Sequence, residues 1–430
     1  MHSKNSYDKI KLRLLRLKGD RQMDNDIIKL VRKFNVITVL YSAGIVVWAA
    51  SIELYLQSIG YTIAAIMLFN SFFWIFSTLS EIPAGVISDT FGRKKAMLIS
   101  CVLRGMGLGL LFLPSQQLWI LLLSGLLTAV SESFNSGTMS AWVVDKVKRI
   151  DEKYEIEKIF SKNSLFLTST SMVVGFLGGR VLGVKNLSYP LLAGIILFII
   201  TIVYISLFFK DNSHQKQDNQ SINLFSGFVS SFKEGYAFLR TDKLYFSLCI
   251  SFLPLILLIV APSNQWQLYF GNEYGGVKIT AYIWVGMGLF GILGSRIPKL
   301  LSRWIQNKLN SLQLLLLLNM VTIILCVVIT NAYLSVLLFL MHVSFTTADA
   351  IIRTGLLHNT IPAKSNNRNT LISFFYTIES CMTAVVIIVI GVLTTVINLG
   401  TIWIMFALIA TVISLPSLRK LNKKIETEAF

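Results

Sequence analysis

Charge is what this sequence has least of for its size: of 430 residues only 14% are Asp, Glu, Lys or Arg, against 54% hydrophobic. That is too little charge to coat a water-soluble globule, so lipid must be part of the solvent. Histidine is also scarce, with four in the chain. No His/Asp or Cys/His cluster stands out, which argues against a membrane enzyme such as an acyltransferase. The four cysteines, Cys101, Cys249, Cys326 and Cys381, fall inside apolar runs without metal-ligand spacing. They read as small buried residues, and neither a metal nor a cofactor is expected. A Gly-rich loop ending in Lys-Ser/Thr is absent, which excludes self-contained ATP drive. No polar stretch is long enough for an appended signalling domain, as a receptor would need. The alternating pattern of barrel strands is missing too.

What is present is a series of apolar runs. Leu191 to Phe209, Leu244 to Ala261, Leu312 to Ile329 and Thr401 to Leu415 reach or approach the roughly 20 residues that cross a hydrocarbon core of about 30 Å. Reading breakers and charges as boundaries predicts twelve transmembrane helices near 36–57, 62–83, 96–114, 117–142, 163–184, 189–209, 243–266, 278–300, 311–330, 333–354, 370–396 and 399–417. Tight connections at Ser58–Tyr61, Ser115–Gln116, Asn331–Ala332 and Asn398–Gly400 fit antiparallel helical hairpins. The first apolar segment is too long for a signal-peptide core and is expected to stay.

The formal charge of +17 does not form the contiguous patch of a nucleic-acid-binding surface. Lys and Arg collect instead in alternate connections: Lys4 to Lys33, Arg93–Lys95, Lys146–Lys162, Lys210–Lys243, Arg296–Lys308, Arg353–Arg368 and Arg419–Lys424. That asymmetry predicts both termini in the cytoplasm of a cell-membrane protein. The longest polar interruption divides the chain into a basic N-terminal segment (1–35), a first bundle (36–209), a linker (210–240), a second bundle (241–418) and a tail (419–430). The N-terminal segment reads either as a lipid-bound surface helix or as a loosely ordered tail before an alternative start at Met23. Leu224 to Leu239 is a candidate amphipathic surface helix.

Between the second and third predicted spans the chain reads Glu81-Ile-Pro-Ala-Gly85-Val-Ile-Ser-Asp89-Thr-Phe-Gly92-Arg93-Lys94-Lys95. This resembles the loop signature of the major facilitator superfamily, Gly-x-x-x-Asp-x-x-Gly-Arg-Lys/Arg, at every defining position. Gly85 is expected to permit close helix approach and Gly92 a sharp turn, while Asp89 meets helix-end amides or a cation. Arg93, Lys94 and Lys95 hold the inner surface. Ile361-Pro-Ala-Lys-Ser-Asn-Asn-Arg368-Asn-Thr-Leu-Ile-Ser373 is similar to the segment leading into the eleventh span of that superfamily, whereas Gly294-Ser-Arg-Ile-Pro-Lys has lost the acid of the signature.

The resemblance implies two pseudo-symmetric six-helix bundles around a central cavity, alternating access, and a site near mid-membrane. It also implies that Asp89 helps latch the halves on the cytoplasmic side; orienting the loop is the plainer role. Drug/proton antiporters of the superfamily carry an Arg in the fourth span, where Gly125 stands here. Their fifth span reads Gly-Pro-x-x-Gly-Gly, where this chain has Val174-Gly175-Phe-Leu-Gly178-Gly179. Proton coupling is therefore not implied by the resemblance.

Ionisable groups at membrane depth are costly and need a partner or water. Candidates for proton or substrate contact are Glu53, Arg104, Glu132, His342, Asp349 and Glu379, with Tyr376 beside the last. Arg104 and Glu132 lie at matching depths in adjacent spans and can pair, as a protonation site or as a structural bridge. Gly125, Thr128, Glu132, Asn135 and Ser136 form a stripe expected to face water or substrate. Glu53 shares a face with Ser42, Ala49 and Ala50. Asp349 and Arg353 are four apart and suit a gate or structural pair, and His342 suits a proton step or a packing role. Trp48, Trp74, Phe134, Trp142, Trp284 and Tyr376 can line an aromatic cavity or simply fill space. These features predict proton-coupled export of small amphipathic organic compounds, with uptake of a nutrient or peptide as the rival. The expected partners are the substrate, protons and membrane lipids, for a protein acting as a monomer.

Overall fold

The structure is a computed structural model that describes residues 25–113, 116–209, 233, 235–360 and 368–428. These are almost wholly helical. We label the helices α1 (25–46, resumed at Ile52–Ser58), α2 (Ile63–Phe91), α3 (Arg93–Phe112), α4 (Leu118–Asn135, continued by Thr138–Ile150), α5 (Ile156–Leu177) and α6 (Tyr189–Phe208). The second half holds α7 (Lys243–Phe252 and Ile256–Tyr274), α8 (Val277–Gly294), α9 (Lys308–Val328), α10 (Ala332–Thr360), α11 (Arg368–Leu393) and α12 (Leu399–Glu428). Eleven helices, α2 to α12, are long and apolar enough to cross a membrane. With the interrupted α1 they give twelve among the described residues.

Local chemistry sets the boundaries. Thr62, Asp242 and Asn307 cap α2, α7 and α9 by accepting a backbone N–H, as N-cap side chains do. Gly92, at φ +90°, ends α2 and opens α3, the sharp turn expected of it; Gly137, at φ +72°, breaks α4 in the same way. The helices overrun the predicted spans on one side. The 29 residues of α2 measure about 44 Å at 1.5 Å per residue, against about 30 Å of hydrocarbon. Because the hairpin connections are short, the excess projects on the opposite side, which carries Arg93–Lys95 and Lys146–Lys162. We call these the hairpin face and the basic face. Residues 233 and 235–241 are helical; residues 224–232 and 234 of the candidate surface helix, residues 1–24 and the 361–367 part of the second-half signature lie outside the described residues.

The first half has a core of its own, and a second core, chiefly of the other half, also takes in Leu54, Met67 and Phe69 of α1 and α2. In the first, Phe34, Ile37 and Tyr41 of α1 join Met97, Trp142 and Phe198. In the second, the rings of Phe270, Phe339 and Trp403 meet across α7, α10 and α12, and Phe252 meets Phe375 of α11 edge to face. Cys101, Cys249 and Cys326 are buried as expected, but Cys381 is exposed. It lies on the outward side of α11 with Val385 and Val392, so residue type alone misjudged its direction.

The halves meet along α2 with α11 and α5 with α8. Near the hairpin face the fit is close. Ser71 donates to the Ala384 carbonyl (3.0 Å) and Trp284 to that of Ser171 (2.8 Å), while Gly179 lies directly against Ala281. Toward the basic face the same two helix sides are bare. Ala64, Met67 and Ser71 continue at helical spacing to Ile82, which is exposed, and to Gly85, which has open space where a Cβ would stand. Ala281, Trp284 and Gly288 likewise continue to Gly291, which also faces open space. The halves therefore close on the hairpin face and part on the basic face. This corrects the expectation for Gly85, since among the described residues nothing lies within 4 Å of where its Cβ would stand.

Glycine substitutions test the geometry directly. A Cβ at Gly178 would fall 1.7 Å from the Val47 oxygen, so Gly178→Ala should lower the melting temperature of the purified protein by many degrees or abolish its accumulation. Gly85→Ala should leave the melting temperature unchanged or raise it, because Ala is worth up to about 1 kcal/mol over Gly inside a helix. The reverse order would contradict the close packing of Gly178 on α1 and the open space at Gly85.

Candidate functional site

The first half's inner wall is built by α1, α4 and α5. Asn163 on α5 donates to Asn35 Oδ1 (2.9 Å) and Thr38 Oγ1 (2.8 Å) of α1. Tyr41 is tied by its hydroxyl to Ser100 on α3 and Ser131 on α4 (2.8 and 3.1 Å). These ties frame a cavity of about 300 Å³ whose polar lining includes Thr38, Ser42, Asn135 and Ser136.

Next to it the structure joins Arg104 of α3 and Glu132 of α4 in a direct ion pair. The pairing expected from depth is thus present. Arg104's side chain is only 4% exposed and lies against the Phe73 ring (5.9 Å), whereas Glu132 is 34% exposed and accepts a second hydrogen bond from Asn135 (3.3 Å). A guanidinium remains charged at any physiological pH. The carboxylate is the member of the pair that reaches the surface. The polar stripe on α4 is shorter than expected: Gly125 packs on Phe69, and Thr128 is buried against Gly107 and bonds to its own helix. Asn135 and Ser136 do face the cavity.

In the second half Arg353 of α10 meets two acids, Asp349 one turn earlier (3.3 Å) and Glu379 of α11 (2.9 Å). Sequence spacing pointed to the first partner. The second lies on another helix and was not foreseen. The cluster thus sets two carboxyl groups against one guanidinium. Asp349 is nearly sealed (5% exposed) and Glu379 is more open (24%), with exposed Tyr376 one turn away.

Two other candidates are placed differently. Glu53 does not share a continuous face with Ser42, Ala49 and Ala50, because α1 is interrupted at 47–51. It is buried where α1, α2 and α7 meet: Asn70 donates to Oε1 (3.2 Å) and Oε2 has no partner. His342 is buried beside Phe339, and its Nδ1 has no partner. Of the six aromatics, Trp74 and Tyr376 are exposed. Trp142 and Phe134 are core residues, Trp284 stacks on Trp266, and Trp48 is partly buried.

At the interruption of α1, residues of the second half take over the backbone. Gln267 of α7 donates to the Ala49 carbonyl (2.9 Å) and accepts from the Glu53 N–H (3.2 Å), while Thr280 of α8 donates to the Ala50 carbonyl (2.7 Å). Sequence reasoning missed these residues, and polar side chains at the hairpin-face ends of otherwise apolar spans are the signal that would have found them. On the basic face the signature loop is held within its own half. Arg93 pairs with Asp89 (3.8 Å) and Asp145 (2.9 Å), and Lys94 donates to the Ser206 carbonyl (3.0 Å).

The sequence model of the Major Facilitator Superfamily matches residues 34–382. The chain belongs to that superfamily. Solved transporters share its fold: the nucleoside transporter NupG superposes with TM-score 0.70 at 14% identity, covering 91% of this chain and 98% of its own. A POT family transporter in complex with 5-aminolevulinic acid gives 0.68 at 14% identity, covering 91% and 96%. No curated protein sequence matches the chain. As a superfamily member this protein is a membrane transporter rather than an enzyme.

The three-residue charge cluster makes a testable contrast. Glu379→Gln removes one of the two carboxyl groups and should leave thermal stability unchanged or slightly raised. Arg353→Gln leaves two carboxylates without their cation and should cost about 3–5 kcal/mol, seen as loss of folded protein from the membrane. Equal stability of the two variants would show that the cluster is solvated well enough to be electrostatically inert.

Proposed function

We propose that this transporter is a secondary active exporter of small amphipathic organic compounds, drug-like molecules or an endogenous metabolite, driven by exchange for protons. The basic face is the cytoplasmic one, by the excess of Lys and Arg there. Both termini lie on that side of the cell membrane, and the protein works as a monomer of two bundles, 36–209 and 241–418, joined by the 210–240 linker. The state described is then open to the cytoplasm and closed to the outside.

The observation that carries the reading is Glu132. It adjoins the polar cavity, meets water on one side, and on the other faces a sealed cation it neutralises. A proton and a cationic group of a substrate compete for this one carboxylate, and such competition is what exchange requires. The Asp349–Arg353–Glu379 cluster supports the same chemistry from the opposite wall, with Tyr376 offering a ring to an apolar or cationic portion. Glu53 and His342, sealed here, are secondary proton sites that become relevant only if the seam opens. Asp89, Arg93 and Lys94, with Gly85 and Gly92, act as the latch of the cytoplasmic side. Gly85 and Gly291 are the places where the opposite bundle seats when that side closes.

Glu132→Gln should fold, bind substrate and exchange it by counterflow in proteoliposomes, yet fail to concentrate it against its gradient when a proton gradient is applied. Wild-type substrate should accumulate in everted vesicles. Accumulation in right-side-out vesicles instead would assign uptake of a nutrient or peptide. A stable Glu132→Gln protein that still drives uphill export would remove this residue from coupling, and its loss from the membrane would make the Arg104–Glu132 pair structural.

A further inference from the structure

On the outer circumference of the first half, away from the cavity, a second hollow of about 550 Å³ lies between α1 and the beginning of α5. It is separated from the inner cavity by the Asn35–Asn163–Thr38 hydrogen bonds that fasten the two helices. Its composition changes along its length. Toward the basic face stand Arg32, Lys158 and Lys162, all exposed, and toward mid-membrane the lining is Val36, Val39 and Phe166. Lys162 lies along the Phe166 ring (6.0 Å) and so bridges the two zones. At the charged end Lys158 pairs with Glu155 (3.0 Å), both largely exposed, which leaves Arg32 and Lys162 in excess among these groups. Ile28, Leu165 and Val173 around the hollow are exposed apolar residues, so this side of the molecule faces lipid.

A groove that is cationic at the membrane surface and apolar below it matches one ligand in shape and charge. We propose that it binds an anionic phospholipid of the leaflet on the basic face, with the phosphate among Arg32, Lys158 and Lys162 and one acyl chain along Val36, Val39 and Phe166. Bulk lipid of any charge can cover an apolar surface, but juxtaposed cations at headgroup level favour an anionic one, each contributing most within a Debye length. Because the site clamps α1 to α5, and both helices also form the seam with the other half, its occupancy should stabilise the folded protein. The inference does not depend on the transported substrate or on proton coupling.

The test uses the purified full chain in detergent, titrated with phosphatidylglycerol or phosphatidylcholine of identical acyl chains. Bound lipid is counted by native mass spectrometry and melting temperature is recorded on the same samples. Phosphatidylglycerol is expected to bind about tenfold more tightly and to raise the melting temperature. Combined Arg32→Gln, Lys158→Gln and Lys162→Gln should abolish that preference. Arg296→Gln, Lys299→Gln and Arg303→Gln, which strip three exposed cations from the same face of the other half, should leave it intact. Val39→Trp, which fills the apolar end and keeps every charge, should lower phosphatidylglycerol occupancy severalfold. Preference that survives the groove substitutions, that falls equally with the distant ones, or that inorganic phosphate alone reproduces would overturn the proposal.

Discussion

A backbone carbonyl at membrane depth must be hydrogen-bonded, because no water is there to replace a missing partner. In α1 the helix lets go of this requirement at residues 47–51, and the carbonyls of Ala49 and Ala50 are bonded by Gln267 and Thr280 of the other half. The two bundles are thus joined by completion of an unfinished helix as well as by side-chain packing. With Trp284 on Ser171, Ser71 on Ala384 and the Gln267 contact to Glu53, five hydrogen bonds among the described residues cross the seam. At about 1 kcal/mol net for each, they hold the hairpin face shut by an amount that a few new contacts elsewhere can offset. Transport by alternating access needs that balance, since neither state can be much deeper than the other.

The complementary half of the balance is visible as unused surface. Gly85 on α2 and Gly291 on α8 continue the helix sides that carry the seam, yet each faces open space. The glycines of α5 show the engaged form: Gly175 is covered by Trp284 and Gly179 by Ala281. Small residues at both ends of the same helix sides let one pair of bundles close at either end. In the present arrangement Asp89 and Arg93 pair with each other, with Asp145 as a further partner of Arg93.

Much of this was legible from residue order. The twelve spans follow from hydropathy and the alternation of Lys and Arg, and the Arg104–Glu132 pair follows from depth in adjacent antiparallel helices. The Asp349–Arg353 pair follows from helical spacing. What was not legible depends on partners distant in sequence. Val47 to Ser51 contain neither Gly nor Pro, so nothing local announces the interruption of α1, and the face assigned to Glu53 was drawn on a helix that is not continuous. Glu379 joins Arg353 from another helix, which spacing cannot reveal. Gly85 was credited with a close contact because its type allows one, but the contact depends on which face of the molecule is closed.

The central claim, that the halves are sealed at the hairpin face and parted at the basic face, is tested most directly by paired cysteines between α2 and α11 in a cysteine-free background. Ser71→Cys with Ala384→Cys sits across a 3.0 Å hydrogen bond, and Ile82→Cys with Ser373→Cys occupies the matching positions toward the basic face. Without substrate or gradient, the first pair should form a disulfide readily under mild oxidation and the second should not. Substrate and a proton gradient should bring out the second bridge at the expense of the first. Rapid bridging of Ile82→Cys with Ser373→Cys at rest, with the Ser71 and Ala384 positions unbridged, would contradict it.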